Sequence, residues 1–139
     1  MDLTILIVQK LDEKYSNISA DYEVILNFLG YETAVCHDAD KLSKMMKAFN
    51  PNLVIWIYPS SEDISDILRQ HRQENEKLKV IWAFEEYGRI AGNPRDYYDD
   101  VFLGVVFTFS QLKKKIIKHF GDSYVTDKLN EYALDEEQE

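Results

Sequence analysis

Several things are scarce in this chain, and each scarcity removes a class of function. Cys36 is its one cysteine, so no internal disulfide forms and a reducing compartment is expected. No apolar run approaches the roughly 20 residues that span a membrane. The N-terminus reaches Leu3 without a basic region or a small-residue cleavage site, which argues against a secretory signal, so the expected location is the cytoplasm. Bases are outnumbered: Lys and Arg total 16 against 25 Asp and Glu, for a net charge of −9. That balance disfavours nucleic acid and anionic membranes as main partners, because both are recognised by basic clusters. Glycine is absent from Gln9 to Ser19, where a nucleotide-binding α/β fold would need it for close backbone approach to phosphate. No serine sits in a Gly-x-Ser-x-Gly elbow. His37, His71 and His119 are far apart and lack metal-site spacing, so no metal and no cofactor are expected. Finally, the run from Leu53 through Trp56 and Ile57 to Pro59 contains no carboxylate.

What the chain does have is enough apolar surface for a core. Its 139 residues are 45% hydrophobic and 13% aromatic, too apolar for disorder despite 29% charged residues. Five short apolar runs, Leu3–Val8, Thr33–Cys36, Leu53–Tyr58, Lys79–Phe84 and Val101–Phe107, read as strands. Amphipathic helices separate them. Tyr22, Ile25, Leu26 and Leu29 share one face after Ser19, with Gly30 as the stop; Leu42, Met45, Met46 and Phe49 share another, ended by Asn50-Pro51. A third helix, capped by Ser60 or Ser61, turns Ile64, Ile67 and Leu68 inward and Arg69 and Arg72 outward. The glycines and proline between Glu85 and Asp100 suggest a short or broken helix. Ser110 is placed to cap a last long helix with Leu112, Ile116, Ile117 and Phe120 inside, stopped by Gly121. Alternating strands and helices imply right-handed crossovers and a parallel sheet covered on both faces. The expected fold is therefore α/β, a flavodoxin-like three-layer sandwich with strand order 2-1-3-4-5, over residues 1–121. Residues 122–139 read as a helical extension with a solvated, frayed acidic tail.

The order of these segments resembles the receiver domain of bacterial response regulators over roughly residues 3–120. The likeness is carried by Ile5-Leu6-Ile7-Val8, Leu29-Gly30-Tyr31-Glu32, Pro51-Asn52-Leu53-Val54 and Phe109-Ser110 ahead of an amphipathic helix. Receivers use two acidic residues for Mg²⁺, an aspartate that accepts phosphate, a hydroxyl residue and a lysine. The resemblance puts the acidic pair on Gln9 and Lys10, the phosphoacceptor on Ile57, the hydroxyl on Phe84 and the lysine on Phe107. Every position has lost the group the chemistry requires. Asp12 and Glu13 follow a few residues beyond the expected pair. The resemblance thus implies a stand-alone, degenerate pseudo-receiver in two-component signalling, not an enzyme, acting by phosphorylation-independent protein–protein contact. The expected partner is a signalling kinase, another receiver, or a second copy as a homodimer. The alternative is a small-molecule module with Gln9 and Lys10 as polar contacts and Trp56, Phe84 and Phe107 as walls.

Two surface groups are candidates for that contact. Tyr87, Arg89, Tyr97 and Tyr98 lie between the fourth and fifth strands, and Tyr and Arg anchor interfaces; equally, the tyrosines could cover a core edge. Lys114 and Lys118, with Lys113 and Lys115, line the outer face of the last helix, where they are solvated or meet the acidic tail. Asp99-Asp100 reads as a solvated pair.

Overall fold

The computed structural model describes residues 2–11, 16–57, 62–84, 97–104 and 106–138, with backbone alone for 62, 63, 84 and 103. In chain order the elements are β1 (Thr4–Val8), α1 (Ser19–Phe28), β2 (Glu32–Cys36), α2 (Ala39–Phe49), β3 (Leu53–Ile57), α3 (Glu62–Glu74), β4 (Lys79–Phe84), β5 (Asp100–Leu103), α4 (Phe109–His119), a 3₁₀ turn (Asp122–Tyr124) and α5 (Asp127–Glu137). The five strands form one sheet of order β2-β1-β3-β4-β5, and every pairing is parallel. This is the expected doubly covered arrangement. β3 is buried along its whole length, as a central strand must be when helices cover both faces.

Period-two alternation divides the interior into two cores. Ile5, Ile7, Leu53, Ile55, Ile57, Ile81, Ala83 and Phe102 face α1, α4 and α5. Leu6, Val8, Val54, Trp56, Val80 and Trp82 face α2 and α3, where Leu42, Met46, Ile64 and Leu68 meet them. Register is pinned at the N-terminal end of the sheet by Asn52, whose Oδ1 accepts from the Thr4 amide at 2.9 Å and the Thr4 hydroxyl at 2.8 Å. No helix among the described residues is long and apolar enough to cross a membrane.

Helix ends follow local chemistry. Gly30, at φ +103°, closes α1: its N–H reaches Asn27 O and the Tyr31 N–H reaches Leu26 O, both at 3.0 Å. A side chain at Gly30 is excluded twice, since a Cβ would also stand 3.3 Å from the Thr126 methyl.

Several expectations need correction. β5 ends at Leu103, not Phe107, because Gly104 turns the chain at φ +108°. α4 begins two residues earlier than expected: Thr108, not Ser110, is its cap, in a reciprocal box with Gln111. Arg72 does not face solvent but pairs with Asp99 at 2.7 Å. Ile25 and Ile117, expected inside, are exposed. The C-terminal residues are not frayed; α5 continues to Glu137 and buries Leu129 and Ala133. The expected Ser60 or Ser61 cap and the broken helix after Phe84 lie outside the described residues.

Candidate functional site

The five positions singled out by the receiver pattern sit at or just beyond the C-terminal ends of β1, β3, β4 and β5. In an open α/β sheet this is the edge where sites form. Gln9 leaves β1 fully buried. Its Oε1 accepts from the backbone N–H of Ile18 at 3.1 Å and of Ser19 at 3.0 Å, while its Nε2 donates to Ser16 O at 2.7 Å. Ile18, the residue in the capping position of α1, makes no side-chain cap of its own. Gln9 therefore does from a distance what an N-cap side chain does locally: it satisfies N–H groups that the first helical turn leaves without partners. Its backbone is engaged too, the amide with Cys36 O and the carbonyl with His37 Nδ1, each at 3.0 Å. Lys10, next in sequence, is exposed. A neutral amide whose oxygen already accepts two N–H groups and an ammonium do not fit a Mg²⁺ ion, which takes anionic and neutral oxygen ligands. Asp12 and Glu13 lie outside the described residues.

Ile57 is 1% exposed and packs in the core layer beneath α1 and α4. Phe107 packs against the same layer, its ring stacked on Phe102 at 4.1 Å and on Tyr22 at 4.5 Å between centroids. The Tyr22 hydroxyl also accepts from the Phe107 N–H at 3.2 Å. Phe107 is thus the middle ring of a three-ring stack that ties the β5–α4 connection to α1. Phe84 ends β4 opposite Leu103, and its side chain is outside the description. Trp56 points the other way, into the α2–α3 layer, where it stacks on Trp82 at 5.3 Å. Trp56 and Phe107 are on opposite faces of the sheet and do not wall one pocket. The Gln9 amide, expected as a polar contact of the same pocket, is already bonded to the start of α1.

The charged residues around β5 are organised in a way the sequence did not reveal. Asp99 and Asp100, expected to be solvated, are both largely buried and paired. Asp99 accepts from Arg72 and from the Val80 amide, each at 2.7 Å, and so continues the hydrogen bonding of β4 before β5 begins. Asp100, 9% exposed, accepts from Lys115 at 2.7 Å, Lys118 at 3.1 Å, His119 Nε2 at 2.8 Å and the Val101 amide at 2.8 Å. Burial opposes ionisation of this carboxyl, but the bonds from Lys115, His119, the Val101 amide and Lys118 outweigh it and hold the group well below the usual carboxylate range. Part of the lysine run is therefore spent on Asp100 and not on the acidic tail. Lys114 is exposed, and with Val101, Phe102, Gln111, Lys115 and Lys118 it lines a groove of about 290 Å³ beside the edge strand β5.

Of the aromatic candidates, Tyr97 is only 8% exposed and Tyr98 packs on Trp82 at 5.5 Å. Both belong to the core around α3, with Arg69 lying over the Tyr97 ring. Tyr97 is consequently not available as an interface anchor: its ring area is already used. Tyr87 and Arg89 lie outside the described residues. The remaining histidine, His71, bonds the Ser43 hydroxyl at 3.0 Å, joining α3 to α2. Burial pushes the Cys36 thiol up, against its bond to Asp38 O.

Sequence reasoning missed the role of α5. Its Glu136 carboxylate accepts from the N–H groups of Phe109 at 3.1 Å and Ser110 at 2.7 Å, so the acidic end lies on the N-terminus of α4, where the helix dipole favours it. The Tyr31 hydroxyl donates to Tyr124 O at 2.8 Å and accepts from the Thr126 N–H at 3.3 Å, fixing the entry to α5. The available signal was Thr126, three residues before Leu129, with Ala133 one turn on.

No protein-family model and no curated protein matches the chain. Solved structures do. The response regulator TrrA of Thermotoga maritima, in complex with Mg²⁺ and BeF, is 22% identical with a TM-score of 0.66 over 86% of this chain and 100% of that one. A structure of the histidine kinase ThkA in complex with TrrA matches at 22% identity and a TM-score of 0.62, covering 86% of this chain and 99% of the matched one. The pseudo-receiver domain of the CikA protein matches at 14% identity and 0.57, over 84% and 95% respectively. At these identities the likeness is one of fold, and the fold of this chain is that of a response-regulator receiver domain.

Proposed function

We propose that this protein is a signalling domain of receiver fold that acts by docking to other proteins and does not take up phosphate. The observation that carries the reading is Ile57. At the end of β3, where the receiver pattern puts the phosphoacceptor, stands an aliphatic side chain packed into the core. An isoleucine offers no oxygen to a phosphoryl donor. Gln9 and Phe107 support the same reading, one bonded to the start of α1 and the other stacked between two rings. The likeness to TrrA, which has been solved bound to a histidine kinase, supports a protein partner within two-component signalling. Cytoplasmic residence and the lack of enzymatic activity belong to this proposal.

The docking face we favour is the groove along β5 and α4, where Lys114 is exposed and Lys118 is mostly so. An acidic partner surface suits it, and such charges act mainly on the rate and specificity of association. Affinity capture from native lysate with the full chain tests this. Lys114→Glu is the cleaner variant, because Lys118 also bonds Asp100. We expect a partner retained by the parent chain and depleted at least about tenfold by Lys114→Glu. Equal recovery with both chains would remove this face from the proposal.

A further inference from the structure

α1 and α5 together carry a strip of exposed apolar side chains with acidic edges, and neither the core nor the β5–α4 groove accounts for it. On α1, Val24 is 69% and Phe28 50% exposed, with Ile25 between them. Their spacing sets them on one flank of the helix while Tyr22, Leu26 and Leu29 turn inward. Tyr132 of α5, 36% exposed, meets Phe28 edge-on at 5.7 Å between centroids, so the strip continues from one helix to the next. Asp21 stands one turn before Val24, and Asp135 follows Tyr132 by three residues; both are exposed. Single exposed apolar residues are ordinary on any protein, but a contiguous set across two helices marks a contact surface.

We infer that this strip is a docking site for a basic amphipathic helix of another protein. Charge selects the occupant. A second copy would bring together two chains that each carry a net charge of −9, and that like charge opposes association. Anionic lipid and nucleic acid meet the same repulsion. A helix with apolar residues every three or four positions, edged by Lys or Arg, covers Val24, Phe28 and Tyr132 while pairing with Asp21 and Asp135. Lys128 lies over the Phe28 ring at 4.4 Å, so a cation already uses part of this surface. The strip is opposite in charge to the lysine-lined groove, and the two attract different partners.

The test uses the isotopically labelled full chain and a helical Leu/Lys peptide of about 18 residues, five turns long, beside a Leu/Glu peptide of the same pattern. The Leu/Lys peptide is expected to bind saturably, with amide shifts centred on Val24, Phe28 and Tyr132. Affinity should fall about tenfold or more with Val24→Glu and weaken with added salt, and Lys128→Glu should raise it. Val24 is mostly exposed, so its variant should keep the parent spectrum; if it does not, Asp21→Lys and Asp135→Lys carry the same test. Absence of saturable binding, shifts mapping elsewhere, or equal binding of the Leu/Glu peptide would overturn the inference. So would self-association by light scattering that Val24→Glu abolishes, which would make the occupant a second copy.

Discussion

Gln9 and Asp100 are two residues whose side chains each hold several partners at once. Gln9 joins the end of β1 to the start of α1 through a buried amide. Gln9→Ala should lower stability by about 1–3 kcal/mol, because the N–H groups of Ile18 and Ser19 lose their acceptor inside the protein. Urea unfolding with an unchanged m-value measures this. Asp100 makes a second prediction, about pH. Its carboxyl is held below the ordinary range by Lys115, His119, the Val101 amide and Lys118 against the cost of burial, so the unfolded chain binds its proton first as pH falls. The stability it contributes is complete above about pH 5 and drains away through the unfolded value near 3.9 toward the folded one. Asp100→Asn should cost about 1–3 kcal/mol at neutral pH and flatten this acid limb in a series of melts from pH 7 to pH 3.

At the level of elements, α5 is the part that changes how the domain is understood. It places Leu129 in the core beside α1 and α4, buries Ala133, and sets its Glu136 on the first turn of α4. Leu129→Ala should destabilise the whole domain by about 2–5 kcal/mol, the cost of a cavity in a core. Glu136→Ala should cost nearer 1 kcal/mol, as for the loss of a helix cap. If α5 were an appendage, both variants would leave the melting temperature of the sheet unchanged. Only the Thr126 cap ahead of Leu129 hinted at these contacts in the sequence. A helix whose inner face is little more than Leu129 and Ala133, among Asp127, Glu131, Asp135 and Glu137, has the look of a solvated tail. By contrast β1, β3 and β4 were plain, since Leu3–Val8, Leu53–Ile57 and Val80–Phe84 are short runs of apolar and β-branched residues. The run from Val101 to Phe107 misled because composition does not show the turn at Gly104, after which Phe107 serves a ring stack and not a strand. Arg72–Asp99 and Asp100–Lys115 were invisible for another reason: their partners are 27 and 15 residues apart, and no local period marks them.

For the molecule as a whole, the sheet order was readable in advance, but the duties of the residues at the receiver-pattern positions were not. Gln9 read as a possible ligand contact and is a helix cap; Trp56 read as a pocket wall and faces the other core. Gln9, Ile57 and Phe107 carry structural duties, so an acidic side chain placed at one of them does not by itself make a site. Ile57→Asp should lower stability by more than about 2 kcal/mol, since it exchanges a packed side chain for a buried carboxyl with no provision for its charge. The most direct measurement of the central claim is intact-mass analysis of the full chain after incubation with acetyl phosphate and Mg²⁺, with a phosphate-accepting receiver treated alongside. The account predicts no acid-labile phosphate on this chain while the control is labelled. Stoichiometric incorporation on this chain, removed by acid treatment, would contradict it.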